Sequence, residues 1–168
     1  VVVAVGDSPT NEVGSFARIL RSTDGSTWTN HSPSGSVLNL YCKDIIWDGS
    51  EFLIAGHDYD SDPSSPGWEG VVYTSPDGQT WTRSYETDLA DSRFDRIASN
   101  GSGIVVVIGQ DGIVARRSEG SWSIVEPGVP ATQRIRDIAY GNGSFVLVGH
   151  NYSDSLDPAY NGNVVIKR

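Results

Sequence analysis

The sequence contains no methionine and a single cysteine, Cys42. One cysteine excludes an internal disulfide framework and any zinc site built from several thiolates of one chain. No apolar run approaches the roughly 18 residues that a membrane-spanning helix requires, which excludes a helical membrane span. The opening Val1-Val2-Val3-Ala4-Val5 run has neither a basic leader nor a small-residue cleavage site, so it reads as a strand rather than a signal peptide. With no initiator Met, a processed or excerpted chain is expected. Basic residues are scarce: 12 Lys and Arg stand against 21 Asp and Glu, for a net charge of −9. That is the wrong sign for gripping phosphate backbones, and no nucleic-acid partner is expected. No window of useful length carries the apolar period of an amphipathic helix.

What is abundant is turn chemistry and repetition. Among 168 residues there are 19 Gly and 22 Ser. Ser22-Thr23-Asp24-Gly25-Ser26-Thr27-Trp28 matches Ser75-Pro76-Asp77-Gly78-Gln79-Thr80-Trp81, and a shortened echo follows at Ser118-Glu119-Gly120-Ser121-Trp122. Between these turns a second element recurs. Ile45-Ile46-Trp47-Asp48-Gly49-Ser50-Glu51-Phe52-Leu53-Ile54-Ala55-Gly56 returns around Asn100-Gly101 and Val105–Gly109, and again over Ile138–Gly149. Its Gly markers at 6, 56, 109 and 149 are spaced by 50, 53 and 40 residues, a period that fits the blades of a β-propeller.

Each unit reads as four short strands, A to D. Strand A ends in Asp-Gly or Asn-Gly, a two-residue hairpin signal. Strand B is a continuous aliphatic run, as for a strand buried on both faces. Strand C (18–21, 71–74, 113–116 and 164–167) leads through the Asp-Gly turn to strand D, which starts at the Trp and alternates. The count is fourteen strands in one all-β segment, residues 1–168. It comprises a partial blade over 1–32, blades over 38–85 and 93–126, and a partial blade over 134–168. Propellers close with roughly four to eight blades, which protects their sheet edges. The expectation is therefore a segment of a larger ring, completed by further blades of the same parent chain or by other copies.

The turns at 22–28 and 75–81 resemble the short form of the Asp-box (bacterial neuraminidase) repeat of the sialidase-like propeller superfamily. The resemblance implies a structural role for Ser22, Asp24, Gly25 and Trp28, and for Ser75, Asp77, Gly78 and Trp81. The Asp and Ser brace the hairpin and the Trp packs between blades, with Trp122 as the third copy. Kelch repeats, which carry a Gly-Gly pair, and WD40 repeats fit less well. Sialidase activity would require an Arg triad, a Tyr–Glu pair and an Asp acid/base. It would also bring a Phe/Tyr-Arg-Ile-Pro segment, and both Arg18-Ile19 and Arg134-Ile135 lack the Pro.

The B–C connections carry the candidate site. Residues 57–69 align with 150–160, whereas the third unit has only Gln110-Asp111-Gly112. His57, Tyr59 and Trp68 on the first loop, with His150, Tyr152 and Tyr160 on the second, form the expected recognition surface, because loops on a rigid scaffold are where binding concentrates. Asp58, Asp60, Asp62 and Glu69 stand at the first, third, fifth and twelfth positions of a calcium-loop pattern, so calcium is the cofactor this segment admits. Pro63 stands where that pattern needs a flexible Gly. Asn30, Asn100, Asn142 and Asn151 open Asn-x-Ser sequons. The expected function is a non-enzymatic structural or binding module, extracellular or on a particle surface, recognising a protein or a glycan. A fragment of a sialidase-like glycosidase and a propeller that scaffolds another complex are the alternatives.

Overall fold

A computed structural model describes residues 1–7, 17–33, 40–60, 67–89, 91–126, 133–151 and 164–167. Among these, all regular structure is β, apart from one 3₁₀ turn at Gln110–Gly112. Four antiparallel meanders follow one another along the chain. Sheet 1 holds β1 (Val2–Asp7), β2 (Ala17–Ser22) and β3 (Thr29–Asn30). Sheet 2 holds β4 (Tyr41–Trp47), β5 (Phe52–Asp60), β6 (Gly67–Ser75) and β7 (Thr82–Glu86). Sheet 3 holds β8 (Phe94–Ser99), β9 (Val105–Gly109), β10 (Val114–Ser118) and β11 (Ser121–Ile124). Sheet 4 holds β12 (Gln133–Gly141), β13 (Ser144–Asn151) and β14 (Val164–Lys167).

The sheets pack in chain order through three apolar seams. Ala17 and Ile19 of sheet 1 meet Ile54, Val71 and Tyr73 of sheet 2. Leu53, Ala55 and Val72 of sheet 2 meet Ile97, Val105 and Val107 of sheet 3. Val106, Ile108 and Val114 of sheet 3 meet Ile135, Ile138 and Leu147 of sheet 4. Successive strand residues point to opposite faces, so β5 and β9 feed two seams at once, which is why their sequences are unbroken apolar runs.

The first strands β4, β8 and β12 lie side by side at one border, and β1 lies against β4. Each of these three strands carries a bulge, at Lys43, Asp95 and Arg136, where the ladder to the next strand skips a residue. The Gly markers explain the bulges' spacing. A Cβ on Gly56, Gly109 or Gly149 would sit 2.0, 1.7 or 2.0 Å from the carbonyl oxygens of Tyr41, Arg93 and Arg134. A Cβ on Gly6 would meet nothing within 4 Å among the described residues.

The Ser-x-Asp-Gly turns are braced as their residue types demand. Ser22 Oγ accepts the Gly25 N–H (2.8 Å), and Asp24 accepts those of Ser26 and Thr27 (2.8 and 2.7 Å). The Thr27 and Ser26 amides hold the Asp24 carboxyl down at about 2. Ser75 and Asp77 repeat the pattern on Gly78 and Gln79 (2.9 and 2.8 Å). The third turn differs: Glu119 and Gly120 both take positive φ, 52° and 79°, in a tight two-residue hairpin without the Asp brace.

Two expectations need correction. Only Asn142-Gly143 makes a two-residue A–B hairpin. The other two connections are longer because a side chain caps them: Asp48 accepts from Ser50 and Glu51 N–H, and Asn100 from Ser102 and Ile104 N–H. Of the three Trp, Trp81 and Trp122 pack into the first and second seams, but Trp28 is 39% exposed. Its sheet has no preceding sheet to pack on among the described residues.

Candidate functional site

Among the described residues the β5–β6 ladder is long, running from Phe52↔Ser75 to Asp60↔Gly67, whereas β9–β10 ends at Ile108↔Val114. The stretch expected as a loop over 57–69 is therefore mostly paired strand. Alternation sends His57 and Tyr59 to one face and Asp58 to the other. Gly70 stands opposite His57, and its missing side chain leaves room for the Phe94 ring, which a Cβ would meet at 2.9 Å.

On the first face Trp68 is the hub. It meets Tyr41, His57 and Tyr59 edge-on, with ring centroids 5.4, 5.2 and 5.1 Å apart. Tyr41, at the start of β4, stacks on His57 at 5.0 Å and 17°. The Arg93 guanidinium lies 4.7 Å over the Trp68 ring. Lys43 Nζ lies 5.1 Å over Tyr41 and pairs with Asp7 at 2.8 Å. His57 is buried, and burial, reinforced by the positive charges of Lys43 and Arg93, pushes its imidazole down to about 4. It is neutral at physiological pH. Tyr59 keeps 38% of its surface exposed at the edge of this cluster.

On the second face Asp58 is buried against Arg83 at 2.5 Å. Arg83 also binds Glu86 (2.7 Å) and donates to the Tyr73 hydroxyl (3.2 Å). Burial pushes the Asp58 carboxyl up despite Arg83. Glu69 lies directly across the ladder from Asp58. Of the four carboxylates in the calcium-loop pattern, Asp58 is thus committed to an arginine. The side chain of Asp60, and Asp62 altogether, lie outside the described residues. Among the described residues no group of three or more His, Cys, Asp or Glu could hold a metal ion.

The second loop is less visible. His150 sits opposite Arg134 in the ladder, the place His57 takes opposite Tyr41. Tyr152, Tyr160 and the Asn151 side chain lie outside the described residues. Asn30 and Asn100 use their amide oxygens in local turns, and Asn142 sits at positive φ in the β12–β13 turn.

Sequence reasoning missed Tyr41, Lys43 and Arg93. Their signal was available in the repeat, since Tyr41-Cys42-Lys43-Asp44, Arg93-Phe94-Asp95-Arg96 and Arg134-Ile135-Arg136-Asp137 occupy one place in three units. Burial raises the Asp95 carboxyl, opposed by Arg96, Lys43, Arg136 and Arg93, so the bulges gather cations in a molecule whose net charge is −9. Cys42 is a packing residue: burial pushes its thiol up to about 12, far from a reactive thiolate. The arrangement offers a stacking face with neighbouring cations, on a rigid hairpin. A scan of protein-family models finds none that matches the chain, and a search of curated proteins finds none either.

Proposed function

We propose that the chain is a β-propeller segment of the Asp-box, sialidase-like kind, serving as a non-enzymatic binding module exposed outside the cell or on a particle surface. It recognises a glycan or a protein through the β5–β6 hairpin. The observation that carries this reading is the Tyr41–His57–Trp68–Tyr59 cluster, with Tyr59 open to solvent at its edge. Aromatic faces stack on sugar rings or on protein side chains at low cost in rotamer entropy. Support for the propeller comes from four meanders packed in sequence, like seam after like seam, with their first strands adjacent. His57 is neutral and buried, Asp58 is held by Arg83 and Cys42 is inert, so each acts in packing rather than in proton or nucleophile chemistry.

The test is a glycan-array and pull-down screen of the whole chain, followed by calorimetry on Tyr59→Ala. Loss of about tenfold or more in affinity at unchanged melting temperature supports the hairpin. Leu89→Ala, an exposed apolar residue off this cluster, is the control. Equal loss in both variants, or none in Tyr59→Ala, overturns it. The glycosidase alternative draws on the cations around Asp95. Hydrolysis of fluorogenic glycosides that is lost in Asp95→Asn would favour it. Capture of a multi-subunit complex, insensitive to Tyr59→Ala, would favour a scaffold.

A further inference from the structure

Turns in this chain are built on Asp-Gly and Asn-Gly pairs, and such a pair carries a reaction of its own. Glycine has no Cβ to shield its amide nitrogen, so that nitrogen can attack the carbonyl carbon of the preceding side chain. Four of these pairs are braced in one way. The Oδ1 atoms of Asp24, Asp48, Asp77 and Asn100 each accept two backbone N–H groups from beyond the glycine, at 2.7–3.4 Å. A side chain held so must break both bonds before it swings onto the glycine nitrogen. The side chain of Asp111, and Asn161 altogether, lie outside the described residues.

Asn142-Gly143 is the exception. It forms the two-residue link between β12 and β13, closed by the Gly141↔Ser144 pair. No hydrogen bond holds the Asn142 side-chain amide among the described residues. The φ angles of 49° at Asn142 and 78° at Gly143 make this a type I′ turn. Ring closure brings the Gly143 nitrogen to the Cβ side of Asn142, at a ψ of about −120°, which is the ψ of the first central residue in a type II′ turn. Type II′ shares the positive φ that Asn142 already has, and differs from type I′ by a flip of the central peptide. Gly143 takes either sign of φ, so the flip leaves the flanking strand pairs in place.

We propose that Asn142 is a site of spontaneous deamidation, converting in the folded chain while Asn100 keeps its amide. The Gly143 nitrogen bonds to Asn142 Cγ, the Cγ–Nδ2 bond breaks, and the Gly143 proton leaves with that nitrogen as ammonia. Water then opens the five-membered imide. Attack at the side-chain carbonyl yields aspartate, and attack at the main-chain carbonyl yields isoaspartate, whose backbone runs through Cβ. Nothing is oxidised or reduced. Either product adds a negative charge to a chain already at −9. Isoaspartate also lengthens the link by one carbon, which disturbs the Gly141↔Ser144 closure. The inference rests on the turns and not on the β5–β6 hairpin.

The sequence supplies its own control, because Asn100-Gly101-Ser102 and Asn142-Gly143-Ser144 are the same tripeptide. The full chain is incubated at mildly alkaline pH, once folded and once in urea concentrated enough to unfold it. Peptide mapping at intervals follows both asparagines; fragment ions locate the gain in mass, and enzymatic methylation detects isoaspartate. In the folded chain Asn142 should convert about tenfold or more faster than Asn100, which must first give up two hydrogen bonds. In urea the two rates should converge. Equal rates in the folded chain, faster conversion at Asn100, or an Asn142 that stays intact when folded and converts in urea overturns the proposal. A difference that persists undiminished in urea belongs to the surrounding sequence rather than to the turns, and overturns it too.

Discussion

Replacing Gly109 by Ala tests the bulged inner strands most directly. The Gly109 backbone is extended, with φ −153°, so Ala loses nothing in conformational preference there. Its Cβ, however, would fall 1.7 Å from the Arg93 carbonyl oxygen and 2.9 Å from Ile113 Cγ2. The first clash is with backbone, and no side-chain rotation relieves it. Strand β8 must move away from β9, stretching the 2.9 Å bond from the Gln110 N–H to the same Arg93 carbonyl. Overpacking costs about 1–3 kcal/mol and a lost buried hydrogen bond about 1–3 kcal/mol more, so about 4 kcal/mol is expected. At this chain length that corresponds to a fall in melting temperature of about 8–16 °C. Gly6→Ala is the matched control. Its Cβ meets nothing within 4 Å, and its cost should stay within about 0.5 kcal/mol. Thermal unfolding followed by tryptophan fluorescence and near-ultraviolet circular dichroism measures both. Equal melting temperatures for the two variants would refute the close-approach argument.

Other parts of the molecule yield equally definite outcomes. Ser75 is fully buried and its Oγ takes the Gly78 N–H at 2.9 Å, so Ser75→Ala should cost about 1–3 kcal/mol in urea unfolding by stranding that donor. Arg117 of sheet 3 binds Asp48 at 2.6 Å and Glu51 at 2.8 Å on sheet 2. Arg117→Met, which leaves buried Asp48 without its counter-charge, should cost about 3 kcal/mol, and much of that should return in the double variant with Asp48→Asn. His57 titrates near 4 in the fold against 6.5 ordinarily, so the unfolded chain takes up the proton first. Stability from the neutral ring is complete above 6.5 and is lost as pH falls towards about 4. Urea midpoints measured across that range should lose this slope in His57→Phe, and an unchanged slope would count against the burial of the ring.

Much of the all-β architecture is legible because its signals are local. Asp24-Gly25 and Asp77-Gly78 announce their turns by residue type, and the runs around Leu53 and Val106 declare strands covered on both sides, whereas the like run around Val146 buries Leu147 and leaves Val148 exposed. The exposure of Trp28 is not legible, because it depends on which sheet lies beside it rather than on its own turn. Nor is the pairing of 57–60 with 67–70, since Asp58, Asp60, Gly67 and Gly70 read as loop while the ladder overrides local preference. The hub role of Trp68 depends on Tyr41 and Arg93, which come from two other strands. Only comparison of the residues preceding each bulge across the units brings those partners into view.

The division between scaffold and site follows from where the shared pattern ends. Up to Gly56 and Gly109, strands β5 and β9 obey the same rule, with each side chain committed to one seam or the other. Immediately after Gly109 the chain reverses through a 3₁₀ turn into β10, whereas after Gly56 the ladder continues for His57↔Gly70 and three further pairs. Those added pairs lie outside the seams, so their sequence is free of the seam's demand for aliphatic residues of fixed volume. On one face that freedom is used for aromatic rings and a neutral imidazole, and on the other for the Asp58–Arg83–Glu86 ion pairs that stiffen the hairpin against β7. A rigid projection with a partly open aromatic face is what recognition needs, since a ligand then orders little of the protein when it binds. The seams account for the fold, and the residues beyond Gly56 carry the proposed recognition face.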